Sequence, residues 1–170
     1  MGRYAVLAAL AVLGALPDAG AFAEGVVTIL PTNAQVKADS AARVGITVRV
    51  KPGFHVQANP VENPSLIPIT FKIDPAAGVT VGKPLYPVAK RIRLQGDDHD
   101  LVVYDGTFTI ALPLTLSRDF APGDNVKLNG SLRYQACDER HCLFRVTVPL
   151  ALAVNVKPAP RLHMRVPDAP

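Results

Sequence analysis

Thr107-Phe108-Thr109-Ile110-Ala111-Leu112-Pro113-Leu114-Thr115-Leu116 places an apolar side chain at every second position, from Phe108 to Leu116. Side chains alternate between two faces along an extended chain but recur every 3.6 residues along a helix. A period of two therefore predicts a strand with one face in a core. The stretch Arg43-Val44-Gly45-Ile46-Thr47-Val48-Arg49-Val50 repeats the pattern, and Lys51-Pro52-Gly53 ends it.

Outward from these two, further strands are expected at Val26 to Leu30, Phe54 to Pro60, Ile67 to Ile73, Val126 to Tyr134 and Leu143 to Val156. Pro31, Asp74-Pro75 and the Phe120-Ala121-Pro122-Gly123-Asp124 turn punctuate them. Gly82 and Pro84 break Val79 to Tyr86, which suits an edge or an irregular crossing. Leu94 to Asp105 carries Gly96-Asp97-Asp98-His99-Asp100 and reads as a loop with an apolar tip at Leu101-Val102-Val103. About eight short strands with Pro and Gly turns and no helical period predict an all-β, immunoglobulin-like antiparallel β-sandwich. The absence of tryptophan and the closeness of the two cysteines exclude the antibody pattern of a bridge between sheets.

The first residues are read apart from the fold. Met1-Gly2-Arg3, the apolar run Tyr4 to Leu16 and Ala21-Phe22-Ala23 form the three parts of a secretory signal peptide, with cleavage expected after Ala23. The apolar run falls short of the roughly 20 residues of a membrane-spanning helix, so residues 1–23 are expected to leave a soluble, exported chain without stable membrane insertion. Residues 24–156 are expected to form one domain and 157–170, rich in Pro and charge, a loose tail.

Charge argues against a nucleic-acid partner. Arg3 and Asp18 cancel within the signal segment, so the net charge of +4 belongs to the mature chain. That excess is spread out, with one cluster at Lys90-Arg91-Ile92-Arg93. A nucleic-acid surface calls for a basic stripe interleaved with stacking aromatics, and the cluster reads instead as a solvated strand face.

The only cysteines lie in Tyr134-Gln135-Ala136-Cys137-Asp138-Glu139-Arg140-His141-Cys142-Leu143-Phe144. Strands ending at Ala136 and beginning at Leu143 would set them across a tight turn. Two cysteines in an exported chain most often form a disulfide. Closing so short a loop stabilises by only about 2 kcal/mol, and a sandwich of this size does not need that to fold. A disulfide across a short turn is readily strained, which would suit exchange. A structural disulfide, a redox-active pair, a metal site and free thiols all stay open at this point. The metal reading would join His141 and Cys142 to His55, His99 and His163-Met164 as copper ligands. Asp138 and Glu139 oppose a thiolate, whereas Arg140 and a protonated His141 favour one.

The run Tyr134 to Leu143, preceded by Leu128-Asn129-Gly130-Ser131-Leu132 and followed by Val146-Thr147-Val148-Pro149-Leu150, resembles the N-terminal periplasmic domain of the thiol:disulfide interchange protein DsbD. Pro52-Gly53-Phe54-His55-Val56, Ile67-Pro68-Ile69-Thr70 and Val103-Tyr104-Asp105-Gly106 resemble further segments of that family, so the likeness runs from about Gly25 to Val156. The resemblance implies an immunoglobulin-like domain that relays reducing equivalents in the periplasm without a cofactor or metal. It implies thioredoxin-like partners, among them disulfide isomerases and cytochrome c maturation proteins. Because the chain stops after one domain, a separate membrane electron donor is expected. By position, Cys142 would be the attacking thiolate and Cys137 the resolving partner, as exchange through a mixed disulfide requires. The resemblance also implies a cap loop over the cysteines within Leu94 to Asp105. Its members would be Asp97, Asp98, His99, Asp100, Leu101, Val102 and Val103, the carboxylates raising a thiol pKa. Leu101, Val102 or Val103 would stand in for the family's capping aromatic, and Tyr134 and His141 would complete the thiol environment.

Overall fold

The computed structural model describes residues 25–30, 32–94 and 98–158. In chain order its strands are β1 (Val27–Ile29), β2 (Asn33–Lys37), β3 (Ala41–Val50), β4 (His55–Gln57), β5 (Thr70–Ile73), β6 (Val79–Val81), β7 (Lys90–Ile92), β8 (Leu101–Tyr104), β9 (Thr107–Leu116), β10 (Asn125–Tyr134), β11 (Ala136–Cys137) and β12 (Val146–Lys157). No helix occurs among the described residues. The architecture is the expected immunoglobulin-like β-sandwich.

One sheet has the order β1-β3-β9-β6. Its centre is the pair of alternating stretches from which the fold was read, joined so that Val44 lies opposite Leu112, Ile46 opposite Ile110 and Val48 opposite Phe108. The facing sheet has the order β2-β12-β10-β5, and its spine is a long hairpin in register from Asn125↔Asn155 to Tyr134↔Val146. Val44, Ile46 and Val48 meet Leu128, Leu132, Leu152 and Val154 in one buried core. Each such side chain contributes about 1.5–3 kcal/mol by leaving water. Gly130 in β10 is required by close approach, because a Cβ there would stand 2.2 Å from the Lys72 carbonyl oxygen of β5.

Not every pairing is antiparallel: β2 joins β12 in parallel, Asn33 opposite Ala153 through Lys37 opposite Lys157. The alternation in Asn33–Lys37 is carried by only Ala34 and Val36, too short a signal to stand out. Val79 to Tyr86 behaves as anticipated, with β6 at a sheet edge and Leu85 making an isolated bridge to Ala111.

A third sheet, of order β11-β4-β8-β7, positions the cysteines. Val56, Tyr104 and Ala136 turn toward the core, while His55, Gln57 and Cys137 are buried on the opposite side of their strands. This sheet corrects the reading of Leu94 to Asp105 as a loop, since Leu101–Tyr104 is β8, paired with β4 through Gln57↔Val103 and with β7 through Lys90↔Val103. An unbroken apolar run suits a strand covered on both faces, and the acidic residues before it had masked that signal. Lys90–Ile92 is likewise a strand. Each cation of its cluster has a carboxylate partner, Lys90 with Asp105, Arg91 with Glu62 and Arg93 with Asp100.

Lys157 still belongs to β12, one residue beyond the expected end of the domain. The signal segment to Ala23, Asp97 and His163-Met164 lie outside the described residues. Among those described, no helix is long and apolar enough to cross a membrane.

Candidate functional site

The cysteine turn is the tip of the β10–β12 hairpin, offset from it by the break at Gln135. Past that break the chain re-pairs, Leu143 N–H donating to the Ala136 carbonyl at 2.8 Å and the Gln135 amide to the Leu143 carbonyl at 3.1 Å. Cys137 and Cys142 then face each other as an isolated antiparallel bridge. They form a disulfide with Cα atoms 3.9 Å apart, so the turn expected between Ala136 and Leu143 is present.

Asp138 builds the turn between them. Its Oδ1 accepts from the backbone N–H of Arg140 at 2.7 Å and of His141 at 2.9 Å, an Asx-type arrangement. Those amides, His141's first, hold its carboxyl below the ordinary aspartate value, so it stays charged near neutral pH. In the sequence Asp138 bears only on a thiolate; its turn-building bonds emerge from the folded geometry.

The two sulfurs sit in contrasting places. Cys137 is 1% exposed, whereas Cys142 is exposed, and two residues on Phe144 is 94% exposed. Cys137 pairs with His55 across the β11–β4 ladder, and the Gln57 side-chain amide donates to Cys137 Sγ at 3.7 Å. His55 is buried, and burial lowers its pKa against the opposing pull of Asp105 and Asp138. An imidazole so placed is neutral at pH 7.

Beside the turn lies an open cleft of ≈ 1060 Å³, lined among others by His55, Lys90, Val103, Asp105, Glu139 and Arg140. Of the residues expected to surround the thiols, Val103 lines this cleft and His141 lies in the turn, its Nδ1 3.4 Å from Asp138. Tyr134 is buried in the core opposite Val146, and burial raises its pKa. Asp98, His99, Asp100 and Leu101 gather instead around a second cleft with Glu62 and Arg91, and Val102 packs against the core. β4 stands between β8 and β11, so these residues are not brought together with the cysteines. Among the described residues no cluster of three or more His, Cys, Asp or Glu could hold a metal ion.

Sequence reasoning missed Gln57 and saw His55 only as a metal ligand. Their signal was present: both polar side chains share one phase of a stretch whose other phase, Val56 and Ala58, is apolar.

Compared with known families, residues 27–152 match the family described as thiol:disulfide interchange protein DsbD, N-terminal. No curated protein matches the chain. Among solved structures, the N-terminal periplasmic domain of ScsB from Proteus mirabilis is similar with a TM-score of 0.48 and 14% identity, over 79% of this chain and 47% of that one. BcpA, the major pilin subunit of Bacillus cereus, is similar with a TM-score of 0.41 and 8% identity, over 76% of this chain and 40% of that one. The chain thus spans about half the length of these structures or less.

Proposed function

The chain belongs to the family of the N-terminal domain of the thiol:disulfide interchange protein DsbD, and from that premise we propose that it is a periplasmic relay module whose Cys137–Cys142 pair cycles between disulfide and dithiol. The observation that carries this reading is the asymmetry of the pair: Cys142 exposed, Cys137 buried opposite a histidine whose charged form burial disfavours.

Exchange requires a thiolate in line with the disulfide. Only Cys142 is open to another protein, so a donor thiolate attacks its Sγ. The Cys137–Cys142 bond breaks and the Cys137 sulfur leaves with the electron pair. The donor's second thiolate then releases Cys142, completing a transfer of two electrons. In the onward direction the Cys142 thiolate attacks the acceptor's disulfide, and Cys137 resolves the mixed disulfide by re-forming the internal bond. Donor and acceptor are proteins of the thioredoxin-like class, the supply of electrons coming from a membrane protein. The chain reaches the periplasm through cleavage of its signal peptide after Ala23.

The reading is tested by trapping. A Cys137→Ser protein mixed with an oxidised thioredoxin-like protein should accumulate a mixed disulfide through Cys142, visible on a non-reducing gel and reversed by dithiothreitol. If Cys142→Ser instead leaves electron transfer to such a protein intact, the bond is structural and the relay reading is wrong.

A further inference from the structure

His55 and Gln57 form the only polar lining that burial has left on β4, and in the disulfide form it is incompletely bonded. His55 Nε2 and Gln57 Oε1 are both buried without a hydrogen-bond partner. Such atoms are rare in folded proteins and call for a reason. Here they share a face. His55 is directly opposite Cys137, which places their Cβ atoms about 4.5–5.5 Å apart, and Gln57, two residues along, projects from the same side. The Gln57 amide already reaches Cys137 Sγ.

A disulfide sulfur has no proton to give and accepts weakly, whereas a thiol donates and a thiolate accepts strongly. We propose that His55 and Gln57 are a polar seat for the reduced Cys137 sulfur, unsatisfied while the bond is closed and satisfied once it opens, and that this difference draws the pair toward the dithiol. The inference rests on the reading that the pair cycles. In the balanced step, a donor dithiol gives up two electrons and two protons and becomes a disulfide, while Cys137–Cys142 becomes two thiols. The departing Cys137 thiolate is held by the Gln57 N–H. Once protonated, its S–H has the Gln57 carbonyl oxygen or the free ring nitrogen of a neutral His55 as acceptor. The lowered pKa of His55, caused by burial, keeps that nitrogen available.

The test is equilibration of the full chain with mixtures of reduced and oxidised dithiothreitol, the thiol state read by alkylation and mass. Gln57→Met, nearly the same shape without the amide, and His55→Leu should each shift the equilibrium toward the disulfide by about tenfold, the size of one hydrogen bond to a charged or buried group, or about 30 mV for a two-electron couple. His55→Gln, which keeps a buried polar group, should stay near the parent value and carries the comparison if the leucine variant does not fold. Unchanged or more easily reduced disulfides in both Gln57→Met and His55→Leu would overturn the proposal. No partner protein enters this measurement. A shift in potential without mixed-disulfide trapping would therefore count against the relay alone, and trapping without a shift against the seat alone.

Discussion

Cys137 and Cys142 share one covalent bond and two environments: the first is 1% exposed on β11 beside β4, the second exposed at the end of the turn. In the reduced protein, brief treatment with iodoacetamide should therefore label Cys142 ahead of Cys137 by about tenfold or more, since alkylation follows thiolate access. Peptide mass mapping after a quench reads the order, and equal labelling would contradict the burial described.

Opening the disulfide should leave the domain folded. The closed loop spans a sequence separation of 5, for which chain entropy gives about 2 kcal/mol. The ladder from Asn125↔Asn155 to Tyr134↔Val146 does not depend on the bond. Urea unfolding with and without reductant should show a modestly lower midpoint and one cooperative transition in both cases.

Asp138 sets an acid limit on the order of the turn. Its folded pKa lies below the ordinary aspartate value of 3.8, so the stabilisation is complete above that value and is lost as pH falls through the folded one. Amide exchange at Arg140 and His141 should rise over that interval. Asp138→Ala should raise it by about tenfold at neutral pH, while Asp138→Asn, which keeps an acceptor oxygen, should remove most of the pH dependence.

His55 acts at milder acidity. Its folded pKa is below the ordinary histidine value of 6.5 because the ring is buried. As pH drops past 6.5 the unfolded chain takes up a proton that the folded protein refuses, and stability falls. The urea midpoint should thus be lower at pH 5.5 than at pH 7.5, and the difference should shrink in His55→Leu.

Core and surface apolar residues should separate sharply. Leu132 is fully buried between the sheets and Phe144 is 94% exposed. Leu132→Ala is expected to cost about 2–5 kcal/mol, and Phe144→Ala to stay within about 0.5 kcal/mol, both read from denaturant unfolding.

The sandwich was legible because its central strands obey a strict period of two over long stretches, as Val44 to Val50 and Phe108 to Leu116 do. The third sheet was legible only in part: β4 lies within the strand expected at Phe54 to Pro60, whereas β8 is an unbroken apolar run of four residues whose two faces a period of two cannot tell apart. The acidic run before Leu101 invited a loop reading that Leu101–Tyr104 contradicts. At the site, the cysteine turn could be placed from Ala136 and Leu143 alone. The seat beneath Cys137 depends on which strand becomes its neighbour, a long-range pairing between positions 55 and 137 that no local pattern encodes.

The ladder around β8 has one more effect. Because Leu101–Tyr104 is hydrogen-bonded to β4 on one edge and β7 on the other, it cannot swing aside without unzipping both neighbours. Any hinge that gates the cysteines must lie elsewhere in the chain. Cys142 is exposed at the end of the turn, so the fixed place of β8 leaves it open to an incoming thiol.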